Sequence, residues 1–151
     1  FMKKVHFSIL INAPTEKVWN TMLDDATYRV WTNAFHEGSY YKGDWSKGSR
    51  MFFLGPNPID GTEGGMIADV VENRLYEFIS IEHQGIITKG VEDTESEEAQ
   101  HWNKSSESYT FNKVNGNTEL IVELEVEEEY ADMFAEMWPR ALKKLKEISE
   151  K

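Results

Sequence analysis

The stretch from Tyr130 to Lys151 constrains the fold of this chain more than any other. It carries the apolar spacing of one long amphipathic helix, has a proline in its middle, and follows a series of β-rich segments. Met133, Met137, Ala141 and Leu145 recur every four residues, and Phe134, Trp138, Leu142 and Ile148 widen the stripe into a broad apolar face. A face that broad requires a sheet to cover it. Pro139 lacks the amide that would bond the Ala135 carbonyl, so a kink is expected there, with the first half of the helix standing off its partner. A helix gripping a sheet in this way leaves a hollow beneath its first half, and a buried ligand cavity is the leading expectation.

The preceding segments supply the sheet. Val5, Phe7, Ile9 and Ile11 alternate with His6, Ser8, Leu10 and Asn12 in a first strand whose apolar face points to the core. Pro14 suits the first turn of a helix, and Val18, Trp19, Met22 and Leu23 continue at helical spacing. A second short helix is expected from Ala26 to about Phe35, where Tyr28, Trp31 and Phe35 share a face. Strands are then expected at Glu37–Lys42, Arg50–Leu54, Gly65–Glu72 and Tyr76–Gln84, separated by turns such as Gly55-Pro56-Asn57-Pro58. Ser106–Val114 and Thr118–Glu127 flank Asn115-Gly116-Asn117, a hairpin signal because asparagine and glycine tolerate positive φ. Gly85 to Asn103 reads as the longest irregular stretch, with an acidic, mobile middle.

The predicted class is α+β: a curved antiparallel sheet wrapped around a long C-terminal helix, with two short helices after the first strand, in one domain spanning 2–151. With 151 residues, 40% hydrophobic and 13% aromatic, the chain is large enough for one sizeable core. Met2 reads as the initiator, and Phe1 is given no functional weight. The formal charge of −11 repels phosphate backbones and anionic headgroups, so neither nucleic acid nor stable membrane association is expected. No apolar run approaches the roughly 18 residues of a membrane span, no signal peptide is read, and cysteine is absent, so a cytoplasmic location is expected.

No pattern in the sequence points to a cofactor or a metal. His6, His36, His83 and His101 are scattered without ligand spacing, and the run Glu92, Asp93, Glu95, Glu97, Glu98 lacks the arrangement of a calcium loop. No nucleophile elbow or phosphate cradle is present. His83 shares a strand face with Ile79 and Ile81 and so is expected at the cavity, although without an orienting partner in the sequence it reads more readily as a core-edge histidine than as an acid or base. Cavity candidates are Trp31, Phe35, Tyr40, Met51, Phe53, Ile81, His83, Tyr109, Phe111, Phe134, Met137 and Trp138. Methionines, Met66 and Met133 included, suit an adaptable wall. Buried tyrosine hydroxyls require partners, which a ligand's polar end can provide.

Three segments together carry a family resemblance: Ile11-Asn12-Ala13-Pro14-Thr15-Glu16-Lys17-Val18-Trp19, Gly48-Ser49-Arg50-Met51-Phe52-Phe53, and Trp138-Pro139-Arg140-Ala141-Leu142-Lys143-Lys144-Leu145-Lys146. In this order they resemble the START-like, or SRPBCC, superfamily, and within it the branch homologous to the activator of the ninety-kilodalton heat-shock chaperone's ATPase. The resemblance implies a helix-grip fold with a deep apolar cavity between sheet and last helix. The superfamily holds lipid carriers, receptors, polyketide cyclases and members of other roles, so it implies no single activity. The expected function is therefore binding of an apolar or amphipathic molecule, lipid-like or polyketide-like. The alternatives are a cyclase- or dehydratase-like enzyme acting in the same cavity and a module that contacts a chaperone.

Overall fold

The computed structural model describes residues 2–151, leaving Phe1 outside. Its eight strands form one curved antiparallel sheet in the order β1-β8-β7-β5-β4-β3-β2, with β6 added beside β5. Strand β1 (Met2–Ile11) leads into α1 (Thr15–Leu23) and α2 (Asp25–Trp31), and a 3-10 turn, Thr32–Ala34, completes the predicted second helix. Then follow β2 (Tyr40–Lys42), β3 (Arg50–Pro56), β4 (Glu63–Arg74), β5 (Phe78–Thr88), β6 (Val91–Asp93), the one-turn helix α3 (Glu97–Gln100), β7 (Ser106–Val114) and β8 (Asn117–Glu127). The chain closes with α4 (Ala131–Ser149). This is the expected α+β helix-grip arrangement.

Alternation decides which face of the sheet is core. Leu120, Val122, Leu124 and Val126 of β8 are buried, and Val5, Phe7 and Ile9 of the adjoining β1 pack partly buried against the same cluster. The β7–β8 hairpin turns on two residues, Asn115 at φ 52° and Gly116 at φ 82°, because Asn117 already pairs with Val114. Two consecutive positive φ values give the twist that fits a tight hairpin.

Helix α4 packs against β1 and the α1–α2 pair. Its second half is solid core: Ala141, Leu142 and Leu145 are buried to within 2% of full burial. Lys146 Nζ donates to the Leu10 carbonyl at 3.0 Å and the Asn12 amide donates to Glu150 at 2.8 Å, which ties this end to the exit of β1. The first half is looser. Phe134 and Met137 are only partly buried, and Met133, expected on the apolar stripe, is 47% exposed. Pro139 sits on the outward face and the helix runs through it unbroken. Water can satisfy the carbonyl that Pro139 leaves without an amide.

Three expectations are corrected. The Gly85–Asn103 stretch is largely regular: β5 continues to Thr88, β6 folds back on it, and Ser96 caps α3 by accepting from the Ala99 amide at 3.1 Å. The predicted Gly55–Pro58 turn begins later, because Gly55 and Pro56 still pair with Gly64 and Glu63. Pro56 is tolerated there because β2 ends opposite Leu54, so no neighbour on that edge needs its missing amide. Conversely, Glu37–Ser39 form a turn, and only Tyr40–Lys42 pair as β2.

The two halves of α4 therefore differ in what truncation removes. Leu145→Ala is expected to lower the unfolding free energy by about 2–5 kcal/mol, and Phe134→Ala by less, as measured by urea denaturation.

Candidate functional site

The partly buried first half of α4 roofs a cavity of about 580 Å³. Tyr130, just before the helix, and Met133, Phe134, Met137 and Trp138 on it line the cavity, and no residue beyond Trp138 does, so the hollow ends where α4 seats on the core. Trp31 and Phe35 enter from the helix pair, Phe53 and Met66 from β3 and β4, and Tyr109 from β7. Trp138 is the hub of this wall. Its ring lies 4.8 Å from that of Phe35, 6.2 Å from both Trp31 and Phe7, and 6.1 Å from Tyr109, centroid to centroid. Such edge and offset contacts each add about 0.5–1.5 kcal/mol to the burial itself.

Of the twelve cavity candidates, the structure brings together Trp31, Phe35, Phe53, His83, Tyr109, Phe134, Met137 and Trp138. Four lie elsewhere. Tyr40 packs on the separate cluster of Leu54, Ile67 and Ile87, where its hydroxyl bonds Glu63 and the Arg29 guanidinium sits over its ring. Met51 points to the core side but is wholly buried beneath Trp45, whose amide its sulfur accepts at 3.4 Å. Ile81 lies one inward position before His83 and is fully packed, and Phe111 is turned to the opposite end of the core, against Trp19 at 5.1 Å.

Alternation alone misplaces the far end of β5. Gly85 pairs with Ile67 and His83 with Ala68, which leaves Gln84 as a bulge. The extra residue reverses parity, so His83 and Ile86, three apart, both reach the cavity. Across the sheet, Gly65 at φ 154° lies so close to β3 that a Cβ would stand 1.8 Å from the Phe53 carbonyl oxygen, a position open only to glycine.

The polar centre of the cavity went unread in the sequence. Glu107, two residues before Tyr109 on the same face of β7, accepts the Tyr109 hydroxyl and lies 3.7 Å from His83 Nε2. His83 thus has the carboxylate partner that the sequence did not show. Its Nδ1 is buried without a hydrogen-bond partner among the described residues. Burial, with Glu107 close by, raises the Tyr109 phenol well above its ordinary value, and the same two causes raise Tyr28, against an opposing hydrogen bond with Ser39. The single available signal was Glu107 and Tyr109 in phase on one strand. Beside α3, the lining residue Glu98 is exposed, and Trp102 stacks on Tyr130 at 5.8 Å. Among the described residues no three His, Asp or Glu side chains form a metal cluster. No helix among them is long and apolar enough to cross a membrane.

A curved sheet, a gripping C-terminal helix and an aromatic cavity between them define a helix-grip domain. Residues 12–150 match the family described as Activator of Hsp90 ATPase homolog 1-like protein, and the chain belongs to that family. Against the curated proteins the sequence finds no match. Among solved structures, a Mesorhizobium loti protein superposes with a TM-score of 0.69 at 16% identity, covering 96% of this chain and 95% of its own. A Chromobacterium violaceum protein gives 0.69 at 17% identity, with 99% of each chain covered. The structure described as the Aha1 dimer from Colwellia psychrerythraea gives 0.69 at 16% identity, over 98% and 96%. At such identities the likeness is one of fold.

The raised tyrosines set an alkaline limit on stability. The folded chain holds these protons more tightly than the unfolded one, whose tyrosines titrate near 10.0, so the stabilisation is complete below that pH and is lost as pH rises above it. Unfolding free energy is expected to fall above about pH 10, and Tyr109→Phe to make that descent shallower by up to about 1.4 kcal/mol per pH unit, as followed by denaturant titration.

Proposed function

We propose that this protein binds an apolar or amphipathic small molecule between the sheet and α4, with the ligand's body on the aromatic wall and its polar end at Glu107, Tyr109 and His83. The observation that carries the reading is an apolar cavity of about 580 Å³ with a compact polar group in its wall. That size and character fit the usual small-molecule site. Phe134 and Met137, only partly buried, are the wall residues a ligand would cover further.

A second reading, a cyclase- or dehydratase-like enzyme in the same cavity, draws support from the nearness of His83 Nε2 and Glu107 at 3.7 Å, a separation that a substrate complex can tighten into the hydrogen bond that readies an imidazole for proton transfer. Turnover that vanishes in His83→Ala would favour it. A chaperone-contacting role rests on the family description, and a chaperone retained stoichiometrically on the immobilised protein would support it.

Binding to the folded state alone stabilises by about 2.7 kcal/mol at a hundredfold excess of ligand over its dissociation constant. For a chain of this length that corresponds to a rise in melting temperature of roughly 5–10 °C. A thermal-shift series of neutral bicyclic aromatics, beginning with 2-(1-naphthyl)ethanol, is expected to contain such members. A cooperative melt that none of them moves contradicts the reading.

A further inference from the structure

The charges around the cavity are of one sign. Its acidic lining residues are Glu98, Glu107 and Glu125, and no lysine or arginine is among the lining. Glu125 is engaged elsewhere, accepting from the Ser106 amide at 3.0 Å and the Ser106 hydroxyl at 2.8 Å. Glu98 is exposed to solvent. Glu107 remains as the carboxylate inside, its side chain 20% exposed. A carboxylate offers about four acceptor positions. The Tyr109 hydroxyl takes one, and His83 Nε2 stands at 3.7 Å, longer than a hydrogen bond.

We infer that the cavity takes a cationic amphiphile, an amine whose ammonium head seats on Glu107 while its aromatic or alkyl body lies along the wall formed by Trp31, Phe35, Phe134 and Trp138. This rests on the binding reading proposed above and deepens it by naming the ligand class. Sign is the first argument. The carboxylate of a fatty acid would meet Glu107 with no cationic lysine or arginine of the lining to receive it, whereas an ammonium group there supplies the missing counter-charge through charge-assisted hydrogen bonds. The wall is the second argument, because the faces of tryptophan, tyrosine and phenylalanine attract cations as well as apolar bodies. The approach favours the same sign: the chain carries a formal charge of −11, and the depression that shares Glu98, Trp102 and Tyr130 with the cavity is lined further by Glu97, Glu127, Glu129 and His101.

The test uses three ligands that share one body: 2-(1-naphthyl)ethylamine, 2-(1-naphthyl)ethanol and 1-naphthaleneacetate, titrated calorimetrically at pH 7 into the full chain and into Glu107→Gln. On the native protein the amine is expected to bind at least about tenfold more tightly than the alcohol, with the carboxylate weakest. In Glu107→Gln the amine is expected to lose far more affinity than the alcohol, so that the two converge. A carboxylate that matches or exceeds the amine on the native protein overturns the inference, and this comparison stands even if the variant fails to fold. An amine-to-alcohol ratio unchanged in a folded Glu107→Gln overturns it as well. Binding of the alcohol without any preference for the amine sinks this inference and leaves the binding reading intact, whereas binding of none of the three sinks both.

Discussion

The structure depends on how Trp138 is held. Its indole is buried where three parts of the fold meet: Phe7 of β1 stacks on it, Tyr109 of β7 approaches from the sheet, and Trp31 and Phe35 reach it from the helix pair. Burying a tryptophan among rings secures several kcal/mol, and here one residue fixes the height of α4 above the sheet. C-terminal to it the helix sits close enough for Ala141, Leu142 and Leu145 to lose all contact with water. N-terminal to it the helix spans a gap that Phe134 and Met137 do not fill. Cavity and core are thus two consequences of one seated side chain.

Within the gap, an apolar enclosure surrounds groups that are unfavourable to bury. A carboxylate, a phenol and an imidazole withdrawn from water require partners, and Glu107, Tyr109 and His83 only partly satisfy one another. A fold selected for stability alone would place leucine or phenylalanine at position 107, as β8 does at Leu120, Val122, Leu124 and Val126. The retained polar centre is the reason to regard the hollow as a site rather than a packing defect.

Features governed by local chemistry were legible in the sequence. The period of α4, the alternation of β1 and β8, the Asn115-Gly116 hairpin and the Tyr28–Trp31–Phe35 face each follow from spacing within a few residues, and eight of the twelve cavity candidates line the cavity as a result. The misses have non-local causes. The bulge at Gln84 is visible only against the register of β4, and it brings Ile86 to the cavity. Strand β6 is too short to show a period and exists because β5 runs on to Thr88 beside it. Met51, Ile81 and Phe111 are buried, but alternation does not tell a packed position from a hollow one. Glu107 is not legible as a site residue because a glutamate on a strand reads as wet, and its approach to His83 joins residues 24 apart in sequence on neighbouring strands.

The methionines give the central claim its most direct measurement. Met22, Met66, Met133 and Met137 line the cavity, whereas Met51 is buried outside it. With all methionine methyls labelled with carbon-13, titration by 2-(1-naphthyl)ethanol or its amine counterpart is followed residue by residue in solution. The account predicts progressive, saturable shifts for Met22, Met66, Met133 and Met137 and none for Met51. Saturable shifts confined to Met51, or unmoved Met22, Met66, Met133 and Met137 signals while calorimetry reports binding, would contradict it.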